Sequence, residues 1–260
     1  MREKRKLITA SMIRYELRNV TGNPYVHIFG IGMPVLMMIL IVRVAVSEIS
    51  DAAMAKMVST TIFLGIGALI PMATILMGYA VIQAQDLEKG IPERMQLFGI
   101  RNAVTICNRA LSELIFMAVA FFIYFMAGII CLDMEAPTVS GAVLYLVCMV
   151  VFSVICFALA HAIASIVKKF GITYCVVMIL YFACMILGGM MGITYENLPV
   201  VLQAVAKLLP VTYFNRDFYT IWVGESYNFM PMLQSYLFFG ALAGILLFIA
   251  LRRSGQKRLS

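Results

Sequence analysis

Groups able to do acid–base, thiol or metal chemistry are few in this chain. There are two histidines, His27 and His161, and six cysteines. Cys107, Cys131, Cys148, Cys156, Cys175 and Cys184 show no Cys-x-x-Cys spacing, and all lie in or beside apolar runs. A thiol in that setting is read as a small buried hydrophobe. No His-Glu-x-x-His motif or Gly-x-Ser-x-Gly elbow occurs, so no catalytic residue and no metal site is assigned. One acid sits inside an apolar run: Glu113, four residues after Arg109. That spacing suits a helical ion pair near a membrane interface, and the other reading is a proton relay. Nothing acidic falls near the middle of any apolar run, which disfavours an ion-coupled carrier. There is also no Gly-x-x-x-x-Gly-Lys-Ser/Thr loop to hold ATP. Work done by this chain must therefore enter through a partner.

The elements that would position these residues are membrane helices. The 260 residues are 63% hydrophobic and only 13% charged, about half the charge of an ordinary soluble domain. Six runs are long and apolar enough to cross a bilayer as helices: 26–46, 60–84, 111–132, 141–167, 172–193 and 232–251. Strand-type alternation is absent, so a barrel is not expected. The expected fold is all-α and polytopic, one transmembrane domain over 1–260. Basic residues set the orientation. With the N-terminus inside, sixteen Lys and Arg fall in the tails and inner loops, and four on the outer side. Both termini are expected in the cytoplasm, in a multi-pass protein of the cell membrane. The net charge of +7 then reports topology and anionic lipid, not nucleic-acid binding. The apolar run after Arg2, Lys4, Arg5 and Lys6 begins too late, and is too long, for a cleaved signal peptide.

Between the runs lie three informative segments. Residues 1–22 place Leu7, Ile8, Met12, Tyr15 and Val20 at helical spacing, with Arg5, Arg14 and Arg18 on other faces. That pattern reads as an amphipathic helix on the inner leaflet or as a simple polybasic anchor. The loop 85–107 holds a short helix with its own signals: Pro92 and Glu93 at its start, Gly99 at its end. Met95, Leu97 and Phe98 give it an apolar face. A helix that short is marginal alone, so it packs on a partner, on the membrane surface or on the N-terminal helix. The loop 194–231 carries two further pieces, around 198–209 and after Pro210, which lie at the outer interface or dip back into the membrane. In the second run, Pro71 is expected to kink the helix, and Gly65 and Gly67 to admit a close neighbour.

Order and spacing of these segments resemble the permease subunits of type-two ATP-binding-cassette exporters. The resemblance runs through "NPYVHIFGIGMPVL", then "DLEKGIPERMQLFGIRN", then "LLPVTYFNRDFYTIWVG". The middle stretch looks like the family's coupling segment, with Ile91-Pro92 replacing its usual small residue after the glycine. The resemblance implies a coupling helix that docks on a separate ATPase through Glu88, Gly90, Glu93, Arg94, Leu97 and Phe98. It implies an outer gate of short re-entrant helices with Pro210, Thr212 and Tyr213. It further implies a second permease chain, with ATP and magnesium held in the ATPase rather than in this chain. A path lined by Met, Phe and Ala suits an amphipathic or lipid-like cargo. A non-transport sensor or immunity subunit would keep the same coupling segment; an integral-membrane enzyme lacks the clustered polar residues it would need.

Overall fold

The computed structural model describes residues 9–191 and 194–256, with the side chains of Tyr25 and 254–256 left aside. Leu7, Ile8 and the basic residues before them lie outside the described residues. Every regular element among the described residues is helical. An N-terminal helix, α1 (Ala10–Thr21), is followed by six long apolar helices. These are α2 (Ile28–Val46), α3 (Ala52–Glu88), then, after the short α4 (Ile91–Leu97), α5 (Asn102–Cys131), α6 (Val139–Val167) and α7 (Phe170–Leu187). Three short helices, α8 (Val200–Ala206), α9 (Pro210–Arg216) and α10 (Phe218–Val223), precede the sixth long helix, α11 (Met230–Gln256).

Burial separates one long helix from the rest. In α3, 89% of the most apolar stretch is buried, against 22–33% in the other five. The outer five therefore keep apolar faces turned away from the core, such as Val44, Phe122, Ile130, Ile179 and Leu237. In water those faces would be costly; in hydrocarbon they are the solvated side. The arrangement is a hub with a ring around it, and α3 is the hub. It also runs past its apolar segment at both ends, where Ala, Met, Lys, Gln and Glu favour helix without favouring lipid.

Pro71 interrupts α3 as its missing N–H requires. The helix breaks at Ala68, whose N–H bonds Gly65 O at 3.1 Å rather than the carbonyl one residue earlier. It resumes with wide turns across Met72–Tyr79. Two tyrosines of the ring satisfy carbonyls just before the break: Tyr124 Oη donates to Phe63 O at 2.7 Å, and Tyr145 Oη to Leu64 O at 3.0 Å. Close approach here depends on glycine. A Cβ on Gly67 would meet the Tyr145 hydroxyl, and one on Gly65 would meet Oδ1 of Asn215 on α9 and lie 2.8 Å from its Cβ.

One end of the bundle carries α1 and α4. At the opposite end, α9 and α10 pack on α3 and α6. The 132–138 connection is pinned there by Trp222, which donates from Nε1 to Glu135 O at 2.9 Å and accepts from Thr138 N–H at 2.9 Å.

Candidate functional site

Short as it is, α4 is sharply delimited. Gly90, at φ 65°, breaks the chain out of α3, and Gly99, at φ 78°, ends α4. Both values lie in the left-handed region that glycine enters without strain. Two hydrogen bonds close the C-terminus: Gly99 N–H to Gln96 O at 2.9 Å and Ile100 N–H to Met95 O at 3.0 Å. That is the paired pattern of a glycine-terminated helix. Pro92 occupies the first turn, where its absent donor leaves nothing unpaired.

The apolar residues of this foot divide. Met95 turns inward, with Thr105 Oγ1 4.0 Å from its sulfur. Leu97 and Phe98 turn outward and are 87% and 81% exposed. Glu93 and Arg94 are exposed beside them. Glu88 is placed differently: its Oε2 accepts from Phe170 N–H at 2.8 Å, capping the first turn of α7. Of the six residues assigned to the coupling contact, four are thus exposed on or beside the foot, Gly90 shapes its start, and Glu88 ties α3 to α7.

Behind the foot lies a buried charge network. Arg109, on α5, is not paired with Glu113. It bonds Glu16 of α1 through Nε at 2.9 Å and Nη2 at 3.5 Å, Asp86 of α3 through Nη2 at 2.7 Å, and Gln83 through Nη1 at 2.9 Å. Side chains 93 and 23 residues away in sequence outcompete the local partner because they meet the guanidinium fork on two sides. Glu113 is 1% exposed, and neither of its carboxylate oxygens has a hydrogen-bond partner. Glu16 was missed although it falls four residues from both Met12 and Val20, on the apolar side of α1, which was its legible signal. Gln83 and Asp86, three apart at the end of an apolar run, were the legible signal of an inward polar face. Other bonds fasten α1 to α5: Thr9 N–H to Asn108 Oδ1 at 3.2 Å, and Ser112 Oγ to Ile13 O at 3.2 Å. His161 lies deeper, with Nδ1 2.6 Å from Tyr79 Oη.

At the opposite end, Pro210, Thr212 and Tyr213 are all buried on α9. Thr212 Oγ1 donates to Ala206 O at 2.7 Å, and Tyr213 Oη to Lys207 O at 3.0 Å, so these two hydroxyls tie α9 to the end of α8. Burial pushes the Tyr213 hydroxyl above the usual tyrosine range. Arg216 stacks on Tyr195 and Tyr213, 4.9 and 5.3 Å from their centroids. Its bidentate bond to Asp217, 2.6 and 2.9 Å, holds the guanidinium protonated ever more firmly.

A bundle of six lipid-length helices, five of them around a buried hub, with a capped foot at one end, defines a multi-pass membrane protein of the permease class. The chain belongs to the ABC-2 type transporter family, whose model matches residues 9–223. No curated protein matches it. It is accordingly a transmembrane transport component of an ABC transporter, the component that lacks the ATPase site, and permeases of this family work with an ATPase subunit.

Proposed function

We propose that this chain forms the membrane path of an ATP-driven exporter and that α4 receives the work from a separate ATPase. The carrying observation is the outward pair Leu97 and Phe98, 87% and 81% exposed on a helix fixed at both ends. Large apolar side chains on a rigid projection are what a docking cleft recognises. Glu93 and Arg94 flank the pair and set its charge pattern. Motion of the foot has two ways into the bundle: through Gly90 to the hub α3, and through residues 99–101 to α5. The Arg109 network then joins α3, α5 and α1 into one body behind the foot. Only contacts that differ between two states can shift an equilibrium, and a docked rigid helix provides such contacts.

The foot end, with its basic tails, is cytoplasmic in this reading, in a cell-membrane protein. The short helices with Pro210, Thr212 and Tyr213 form the outer gate. A second permease chain completes the path. Two cavities, of about 640 and 400 Å³, lie at the foot end and the gate end along α2 and α3. They suit one amphipathic molecule at a time.

Phe98→Asp tests the docking. Co-expressed with its ATPase, the variant is expected to insert normally and to lose most of the co-purifying ATPase. Co-purification at the wild-type yield refutes the role given to α4.

A further inference from the structure

The cavity at the foot end lies between α1, the start of α2, the end of α3 and the start of α7. Phe29, Met77, Phe170 and Tyr174 give it apolar and aromatic walls, and Asn19 and Asp86 a polar side. Asp86 is its one charged lining residue among those described. Its side chain remains 18% exposed while Oδ2 accepts from Arg109 at 2.7 Å. A carboxylate among aromatic rings, with no lysine or arginine on the wall, attracts a cation and repels an anion.

Asp86 is already engaged by Arg109, so a cation arriving there must displace the guanidinium. The displaced group has somewhere to go. Glu113 lies four residues along α5, one helical turn away, with both oxygens buried and without a hydrogen-bond partner. A buried carboxylate in that state calls for an explanation. Arg109 meanwhile faces two carboxylates already, Glu16 and Asp86. A second positive charge at Asp86 would leave Glu113 as the natural partner for the freed arm of Arg109.

We propose that this cavity takes the cationic head of an amphipathic cargo on Asp86, and that the arriving cation displaces Arg109 toward Glu113. The inference rests on reading the chain as a cargo path and adds the sign of the cargo's charge. It also gives the bundle a way to register occupancy. Arg109 holds α1 through Glu16 and sits on the helix that follows the foot, so loading the cavity changes the attachment of both.

The experiment uses the full chain in dodecyl maltoside micelles and two probes of matched size and opposite charge, tetraphenylphosphonium and tetraphenylborate, followed by equilibrium dialysis. Four proteins are compared: wild type, Asn19→Lys, Asn19→Asp and Glu113→Gln. The Asn19 pair puts opposite charges on the cavity wall while leaving every member of the Arg109 network in place, and Gln keeps the size of Glu113. Asn19→Lys is expected to weaken phosphonium binding about tenfold, the scale of one lost cation contact in a shielded site. Asn19→Asp should hold it at least as tightly as wild type. Glu113→Gln should also weaken phosphonium binding about tenfold, since the displaced guanidinium loses its counter-charge and keeps only a neutral amide oxygen. The borate should be indifferent to that change. If both Asn19 variants shift phosphonium binding in the same direction, or the borate is the better ligand, the cationic assignment is overturned and the cargo path stands. If Glu113→Gln binds phosphonium as wild type does, the exchange is overturned. Failure of the cavity to hold either probe overturns this inference alone, while the ATPase co-purification tests the proposed function independently.

Discussion

Replacing Arg109 with methionine should be among the most damaging single changes in the molecule. The guanidinium makes four hydrogen bonds, to Glu16, Asp86 and Gln83, and its side chain is 5% exposed. Methionine fills much of the same volume and donates nothing. Glu16, at 1% exposure, would be left as a buried carboxylate without a partner, and Asp86 nearly so. Breaking a buried pair from one side costs about 3–5 kcal/mol, most of it the stranded charge. For a chain of this size, each kcal/mol moves the melting temperature by about 2–4 °C. The expected fall is therefore on the order of 10 °C, read by thermal unfolding of the purified protein in detergent. The same logic predicts a rescue. Adding Glu16→Gln and Asp86→Asn to the methionine variant removes the stranded charges and should recover about half of the loss. A single variant that melts with wild type, or a triple variant no more stable than the single, would refute the assignment of these residues to one electrostatic unit.

Further expectations concern the foot, the hub and the α3–α7 tie. Gly99→Ala forces an L side chain to φ 78° and should fray the end of α4, seen as faster amide exchange at Ile100 and weaker ATPase co-purification. Tyr145→Phe leaves the Leu64 carbonyl without its donor inside the core and should cost about 1–3 kcal/mol in thermal unfolding, whereas removal of the Tyr174 hydroxyl, at the half-exposed start of α7, should cost far less. Glu88→Ala should accelerate exchange at Phe170 and its neighbours without altering the spectrum of the remaining helices; unchanged exchange at Phe170 would mean that Glu88 does not cap α7.

Number and kind of the long helices were legible because hydropathy in lipid is a one-dimensional signal: each run of about twenty apolar residues reports itself. Helix ends were less legible. The first turns of α3 hold Lys56, and its last turns hold Gln83, Gln85 and Glu88; such residues are good helix formers that no hydropathy criterion counts as membrane. The capped foot was readable from Pro92 and Gly99, since both act through their own backbone. Pairing of Arg109 was not. Sequence exposes neighbours at four residues and hides those at 93: the spacing of Glu16 from Met12 and Val20 puts it on the apolar side of α1 but does not say which cation meets it there. Glu88 shows the same limit, for its partner is the backbone of Phe170, a group present at every position. The outward turn of Leu97 and Phe98 against the inward turn of Met95 likewise depends on where α5 begins, which is set by packing.

The break in α3 also bears on how the protein is made. Ribosomes deliver the hub second, before the segments that surround it. The carbonyls of Phe63 and Leu64 take their hydroxyl donors from Tyr124 and Tyr145, which have not yet been synthesised when the first two crossings enter the bilayer. A newborn hairpin of those two crossings would lack both hydroxyl donors that brace the helix just before its break. Maturation of this protein thus has a built-in waiting period, in which the earliest intermediate needs shelter, from the insertion machinery or from water at the interface, until its own later half arrives.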